Sequence, residues 1–423
     1  MSLYTTREKK IVLPNGVRIL IEEIPHVYST AIGFWMDSGS KSENPDNLGV
    51  SHFIEHMSFK GTPKRNAKDI ASEIENTGGS INAFTDKENT CFFIRILDKH
   101  VPLALDVLSD ILRNSLFDNT EIEKEKQVVL EEIKTYEDSP DELVFDLFLQ
   151  TIWSDHPLGR EIIGTVDTVK GLDRAKITEY IEHFYTPDNL VIAIAGKINT
   201  DEIIEQLTSL VGDMSNHYPS IPDTPVTMTP GVLVKYKDIE QIHVCLGTKG
   251  VAISDERRYV LAIMDNILGG GMGARLFQEI REKKGLVYTI SSYQALYRPA
   301  GIFGVYAGCS PNNFKEVAKL TIEELNKIKD GKISEDEIQK AKEHIKGGLL
   351  LGMEAVRSRM MRLARNELFF GRFVSLDEIV EKIEKVQLKD IVDIAGEIFN
   401  KDLMTFTVVG PVKELPFTKD EIF

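Results

Sequence analysis

The sequence predicts an α+β protein built from two similar domains. Its 423 residues exceed what one ordinary hydrophobic core holds. Segments also recur weakly at a spacing of about 215 residues: Asn189–Gly196 resembles Asp402–Gly410, and Glu121–Lys126 resembles Glu337–Lys342. Each half runs through strand pairs, a helix, further strands, several helices and a last strand. We therefore predict a duplicated α+β unit.

The strands and the linker follow from local patterns. Apolar and β-branched stretches predict strands in the first half, at Ile11–Leu13, Val17–Glu22, Ser29–Met36, Asn82–Leu97 and Leu190–Ala195. The segment Asp213–Gly231 holds four prolines and no helical periodicity. We interpret residues 214–231 as a linker between an N-terminal domain (1–213) and a C-terminal domain (232–423).

Composition excludes several functional classes. The net charge is −16 and the pI is about 5.2, and no basic stripe favours nucleic acid. If part of this charge lines a cavity, it would favour basic peptides. No apolar run approaches the ~18 residues of a membrane span, and the N-terminus lacks the apolar core of a secretory signal. The three cysteines (Cys91, Cys245 and Cys309) lack metal-binding spacing. We expect a cytoplasmic protein with no nucleic-acid or membrane partner.

The most informative motif is His52-Phe53-Ile54-Glu55-His56. Two histidines four residues apart share one face of a helix and can bind one Zn²⁺. Glu55 lies beside His56 and one turn after His52, where it can take a proton from an attacking water. The order H-x-x-E-H reverses H-E-x-x-H and is typical of the inverzincin peptidases.

A glutamate downstream can complete the ligand set. Glu121–Tyr136 is rich in helix formers. Its Glu125 and Glu132 lie seven residues apart, close to two helical turns, so both carboxylates point the same way. Two histidines and one glutamate form a common catalytic zinc set that leaves a fourth position open. Most other charges of this helix, Glu123, Lys124 and Glu131 among them, are typical of a solvated face.

Four runs, GVSHFIEHMSFKGT, GGSINAFTDKENT, EKEKQVVLEEIKTYEDSPDELVFDLF and HPLGREIIGTVDTV, resemble the pitrilysin family of zinc peptidases. Within that family the chain looks more like the branch of the mitochondrial processing peptidase β-subunit and its bacterial homologues, and the resemblance runs from Pro14 to Gly410. The resemblance implies one zinc ion per chain on His52, His56 and Glu132. It implies Glu55 as general base and Glu125 as a catalytic glutamate that orients the metal site. It also implies two domains in which helices pack on one side of a largely antiparallel sheet.

The second half has lost this chemistry. In the repeat, Glu125 falls on Ala341 and Glu132 on Gly348, and the region Met264–Gly270 has no histidine. Gly269–Ala274 formally fits the dinucleotide pattern G-x-G-x-x-A, but a helical pattern precedes it where a strand is required. We interpret it as a flexible or tightly turned loop.

The resemblance also implies substrate contacts. Asn82, Ala83 and Phe84 begin a strand that, in the family, receives the peptide along a sheet edge. Arg281 and Tyr288 match a family pair that contacts the peptide near the scissile bond, with Tyr288 able to stabilise the oxyanion. Single-chain members of the family have four such domains, whereas this chain is predicted to have two. The resemblance therefore implies a homodimer, which restores four domains and shares each active site between the two chains.

The implied function is a zinc endopeptidase that cleaves extended oligopeptides or unfolded segments in an enclosed chamber. Two alternatives stay open: a processing peptidase for one dedicated protein, and a non-catalytic core subunit of a larger assembly.

Overall fold

The computed structural model describes residues 7–215 and 224–423. Residues 216–223, which belong to the predicted linker, lie outside the described residues. Packing divides the chain into two compact units, each discontinuous in sequence. The first contains the described residues of Met1–Lys134, Arg160–Ile221 and Leu351–Val374, and the second contains those of Thr135–Gly159, Pro222–Leu350 and Ser375–Phe423.

The strands are, in chain order, β1 Arg7–Val12, β2 Arg18–Glu23, β3 Ser29–Met36, β4 Ser80–Thr85, β5 Thr90–Leu97, β6 Leu190–Gly196, β7 Val232–Tyr236, β8 Ile242–Lys249, β9 Val287–Leu296, β10 Gly301–Cys309 and β11 Thr405–Gly410. The α-helices are α1 Val50–Ser58, α2 Ala67–Glu75, α3 Val101–Asn114, α4 Asn119–Glu137, α5 Pro140–Ile152, α6 Val166–Lys170, α7 Arg174–Phe184, α8 Thr200–Val211, α9 Arg258–Gly269, α10 Phe314–Lys329, α11 Glu335–Gly352, α12 Val356–Phe370, α13 Leu376–Lys385, α14 Leu388–Ile398 and α15 Lys419–Ile422. A π-helical segment spans Phe277–Glu282. In the ranges 7–215 and 224–423, none of these helices combines the length and the apolar character that crossing a bilayer demands.

The sheet of the first unit has the strand order β1-β2-β6-β3-β5-β4. Only β2 and β6 pair in parallel among its described strands. The single strand predicted over Asn82–Leu97 is wrong, because a polar turn divides it into the hairpin β4–β5. The Asp86 N–H donates to the Asn89 carbonyl across this turn at 2.7 Å.

The sheet of the second unit has the order β7-β11-β8-β10-β9. It repeats the order and pairing directions of β2-β6-β3-β5-β4, including one parallel pair, β7 with β11. The predicted α+β class with two similar, largely antiparallel sheets is therefore confirmed.

Helices cover both faces of the first sheet. One face packs against α1 and α3 through buried residues that include Ile32, Phe34, Phe53 and Leu108. The opposite face packs against α12, where Met360 and Leu363 belong to the same buried cluster as Trp35 and Phe93. The expected packing of helices on one side of the sheet thus describes the larger of the two cores, which contains α1 and α3. The additional helix α12 covers the opposite face and shields it from water.

A glycine makes room for that further helix in each unit. A Cβ at Gly33 of β3 would lie 2.5 Å from the Met360 Sδ of α12. In the second unit, α5 covers the outer face of the sheet, and a Cβ at Gly247 of β8 would lie 2.7 Å from Phe148 Cζ of α5. Packing therefore assigns α5 to the second unit and α12 to the first. The domain boundaries 1–213 and 232–423, which were inferred from the sequence repeat, stay a prediction.

Candidate metal centre

Helix α1 presents the H-x-x-E-H motif on its polar face. It begins after Gly49, and its buried residues Val50, Phe53, Ile54 and Met57 hold it against the first sheet and its neighbouring helices. Helical periodicity then turns His52, Glu55 and His56 away from this core, and all three are partly exposed.

Helix α4 supplies the second group of side chains. Its buried Ile122, Val129 and Ile133 hold one face in the same core. Glu125 and Glu132 consequently both lie near α1, although Glu125 is buried and Glu132 is exposed. Glu131 points elsewhere and forms an ion pair with Lys134 at 2.6 Å.

Three side chains converge with the geometry of a metal site. Glu132 Oε1 lies 3.8 Å from His52 Nε2, and Glu132 Oε2 lies 3.6 Å from His56 Nε2. One ligand atom from each residue lies within 4.8 Å of the other two. Ligands at 2.0–2.2 Å from a tetrahedral Zn²⁺ are separated by about 3.3–3.6 Å, so the set fits zinc with small adjustments. Among the described residues, these three form the one such group of histidine, cysteine or acidic residues.

The pKa values of the two histidines are shifted in opposite directions. Burial, with a smaller contribution from His56, lowers the pKa of His52 to about 4, which keeps the imidazole neutral and able to bind a metal. Burial alone would lower the pKa of His56 too. The hydrogen bond to Glu125 and the charges of Glu132 and Glu125 instead raise it above its ordinary value.

Glu125 orients His56 from behind. Its Oε1 lies 2.9 Å from His56 Nδ1, and its Oε2 forms an ion pair with Lys60 Nζ at 2.5 Å. Burial opposes ionisation of Glu125, but the hydrogen bonds from His56 and Lys60 outweigh it and lower its pKa. An anionic Glu125 accepts the Nδ1–H of His56, and this tautomer leaves Nε2 free to face Glu132.

Glu55 is held beside these ligands without belonging to them. Thr85, the last residue of β4, donates its hydroxyl to Glu55 Oε2 at 2.6 Å. Burial raises the pKa of Glu55, and the hydrogen bond from Thr85 and the charge of His56 partly offset this effect. A carboxylate with a raised pKa is suited to accept and return a proton.

Glu43 anchors the start of α1. Its carboxylate accepts from the Gly49 N–H at 2.8 Å and the Ser51 N–H at 2.9 Å, and also from the Ser51 hydroxyl. Burial raises the pKa of Glu43 to about 7, although the hydrogen bonds from Ser51 and Gly49 lower it.

Strand β4, with Asn82, Ala83 and Phe84, lies at one edge of the first sheet, as the resemblance implied. Asn82 is exposed, and its side-chain oxygen accepts the Ala83 N–H at 2.8 Å. The Phe84 ring packs edge-on against Trp35 with 5.3 Å between centroids. Its side chain therefore has a packing role in addition to any contact with a peptide.

Arg281 and Tyr288 lie together in the second unit. Arg281 belongs to the π-helical segment, and its guanidinium carbon lies 6.0 Å from the centre of the Tyr288 ring. Tyr288 is 76% exposed on β9, which is an edge strand of the second sheet. The predicted pair is thus adjacent and accessible.

Sequence reasoning missed Lys60, Thr85 and Glu43. Lys60 lies two residues beyond the end of α1, in the turn that follows the motif, so its nearness to the motif in the sequence was its one local signal. Thr85 and Glu43 had no such signal, because a strand and a loop bring them to α1.

The chain has many relatives among known proteins. The insulinase (peptidase family M16) model matches residues 18–166, and the model of the M16 inactive domain matches residues 171–345. An uncharacterized zinc protease, YmxG of Bacillus subtilis, is 39% identical over 96% of this chain and 99% of its own length. A Streptomyces coelicolor protein, also named an uncharacterized zinc protease, is 37% identical over 96% of this chain and 90% of its own length.

Solved structures share the fold. A protease from Helicobacter pylori superimposes with a TM-score of 0.91 at 22% identity, covering 96% of this chain and 99% of its own. An M16 inactive-domain protein from Pseudomonas fluorescens gives a TM-score of 0.90 at 16% identity, with the same coverage.

These findings define a zinc protease of two α+β halves. The chain belongs to the insulinase family, peptidase family M16, whose peptidases use zinc. The predicted pitrilysin-type family is confirmed, whereas the processing-peptidase branch stays a prediction. The inactive-domain match agrees with the absence of the metal-binding residues from the second half of the repeat.

Proposed function

We propose that this protein is a zinc-dependent endopeptidase that cleaves extended oligopeptides or unfolded segments. One observation carries the proposal: His52, His56 and Glu132 converge within 4.8 Å, and Glu55 lies on the same helical face as the histidines without being a ligand. A purely structural metal site would have no need of a partly buried, hydrogen-bonded carboxylate beside it.

Each residue then has a definite role. His52, His56 and Glu132 would hold the metal. When bound, zinc supplies a Lewis acid that polarises a carbonyl and lowers the pKa of water. Glu55 accepts a proton from the attacking water and passes it to the leaving amine. Glu125, fixed by Lys60, maintains the tautomer of His56.

The edge strand β4 is the proposed binding platform for the peptide. Backbone pairing along an edge requires little sequence specificity, and it suits an extended substrate. Asn82, Ala83 and Phe84 lie within β4 and directly precede Thr85, whose hydroxyl contacts the base. A peptide paired with β4 would therefore be aligned with Glu55. Enclosure of this edge in a chamber would also protect it from aggregation.

Arg281 and Tyr288 are proposed to contact the substrate and stabilise the transition state. Arg281 would hold a peptide carbonyl, and Tyr288 would donate a hydrogen bond to the tetrahedral oxyanion. We propose that they act on the zinc site of a partner subunit in a homodimer. Tyr288 is exposed, so its side chain is accessible to a partner subunit.

Two alternatives have less support. A non-catalytic core subunit would have no use for the intact set of His52, Glu55, His56 and Glu132. A processing peptidase for one protein uses the same residues, and the substrate test below separates it from a general oligopeptidase.

The proposal is tested by incubating the zinc-loaded protein with an unbiased mixture of peptides and with a stable folded protein. We expect many peptides to be cut at internal bonds, a chelator to abolish cleavage, and the folded protein to survive. Removal of terminal residues alone would contradict endopeptidase activity. Rapid cutting within the rigid core of the folded protein would contradict the chamber.

A further inference from the structure

The two histidines of the metal centre are supported in different ways. His56 Nδ1 is fixed by Glu125 at 2.9 Å. For His52, none of the described residues forms a hydrogen bond with the buried Nδ1 atom. Metal-binding histidines usually donate this second N–H to an acceptor that sets the ring orientation. The position of the His52 ring therefore depends on the backbone that carries it.

That backbone is held by Glu43. The first N–H groups of a helix have no partners within the helix, and a side chain at the N-cap normally accepts one of them. The N-cap of α1 is Gly49, which has no side chain. Glu43 replaces it from the preceding loop and accepts three hydrogen bonds, from the Gly49 N–H, the Ser51 N–H and the Ser51 hydroxyl. Ser51 directly precedes His52.

The local geometry leaves no room for a substitute at the cap itself. Gly49 has a φ of +88°, and a Cβ there would lie 2.5 Å from the Ile163 carbonyl oxygen. The cap must therefore come from elsewhere in the chain. Glu43 is well placed for it, because it is only 4% exposed and its own carbonyl accepts from Arg160 Nη1 at 2.7 Å. A carboxylate also interacts favourably with the positive end of the helix.

We propose that Glu43 is the positioning residue for His52. Glu43 touches neither metal nor substrate, and it acts by fixing the first turn of α1 so that His52 Nε2 faces Glu132. Glu125 does the same for His56 through the ring, so each histidine has its own carboxylate support. This inference rests on the metal centre of the proposed function.

The experiment measures zinc affinity without any peptide. The zinc dissociation constant of the full-length protein is determined at pH 8 by competition with a chromogenic chelator. Glu43→Gln keeps the size of the side chain but places an amide NH₂ against N–H donors. We expect zinc binding to weaken about tenfold, the lower end of the effect of outer residues at metal sites. Glu367→Gln is the matched control, because Glu367 is also 4% exposed and paired, with Lys10 and Arg18, on α12. We expect it to leave zinc affinity unchanged.

Two further variants separate positioning from a general effect on folding. Ser51→Ala removes only one of the three donors, so it should fold and weaken zinc binding a few-fold, even if Glu43→Gln misfolds. In a His52→Ala background, Glu43→Gln should have no further effect on zinc affinity, because the residue that it positions is gone.

Three results would overturn the inference. They are unchanged zinc affinity in both Glu43→Gln and Ser51→Ala, an equal loss in Glu367→Gln, and an undiminished loss in the His52→Ala background. A wild-type affinity no tighter than that of His52→Ala would refute the metal centre itself, and with it the proposed function, which distinguishes the two failures.

Discussion

The Thr85 hydroxyl donates a hydrogen bond of 2.6 Å to Glu55 Oε2. This contact joins the proposed general base on α1 to β4, the edge strand proposed to receive the peptide. A peptide paired with β4 would therefore be held in a fixed position relative to Glu55, because the same strand contacts both. Catalytic groups gain much of their effect from such fixed relative positions.

Loss of the Thr85 hydroxyl should impair catalysis more than binding. A hydrogen bond to a charged group contributes about 1.5–3 kcal/mol, so we expect Thr85→Val to lower kcat by about tenfold or more, with little change in KM or zinc content. Thr85→Ser keeps the hydroxyl and should retain most activity. Steady-state kinetics with one defined peptide check this, and a Thr85→Val enzyme as fast as the wild type would show that Glu55 needs no such anchor.

A comparison of zinc content with turnover should distinguish the general base from the metal ligands. Glu55→Gln should keep about one zinc ion per chain, because Glu55 does not belong to the group of three residues that would bind the metal. It should lose peptide cleavage by about 10²–10⁴-fold, the usual contribution of a general base. His52→Ala, His56→Ala and Glu132→Ala should lose both metal and activity. Normal turnover by Glu55→Gln would exclude its assigned role.

A shared active site predicts recovery of activity on mixing two impaired variants. Glu55→Gln disables the zinc site of the first half, and Arg281→Ala disables the partner residue in the second. If each zinc site uses Arg281 and Tyr288 of the other subunit, a mixed dimer has one site with both lesions and one with none. Subunit exchange followed by a peptide assay should then restore activity. No recovery, with mixed dimers demonstrated and Arg281→Ala shown to be impaired, would establish that each chain uses its own pair.

The buried Glu43 predicts a pH-dependent stability difference. Burial raises its pKa from 4.5 to about 7 in the folded protein. The folded state thus binds this proton more tightly than the unfolded state, and the resulting stabilisation is complete below pH 4.5 and is lost as the pH rises to about 7. The full shift corresponds to about 3 kcal/mol.

Glu43→Gln does not titrate and should not show this loss. Urea unfolding of the metal-free wild type and variant at pH 5 and pH 8 measures the difference, in which most other titrating groups cancel. We expect the stability of the wild type relative to the variant to be lower at pH 8. An equal difference at both values would mean that Glu43 has an ordinary pKa in the folded state.

The part of the site that lies within single helices was predictable from the sequence. The four-residue step between His52 and His56 and the seven-residue step from Glu125 to Glu132 each define one helical face. The packing of α1 against α4, which brings these faces together, came only with the family resemblance. Thr85 required knowledge that Asn82–Leu97 is a hairpin, and Glu43 required the path of the loop before α1. No local pattern in residues 356–370 specifies which sheet that segment covers.

Helices α5 and α12 each cover the sheet that lies on the other side of the predicted linker in the sequence. This arrangement limits where the chain can be divided. Residues 140–152 precede the predicted linker yet cover the second sheet, and residues 356–370 follow it yet cover the first. A fragment ending near residue 213 would leave the apolar surface formed by Trp35, Phe93 and their neighbours in contact with water. The half that carries the metal centre therefore depends, for burial of this surface, on a segment that is synthesised late, so a prematurely terminated chain would be prone to aggregate.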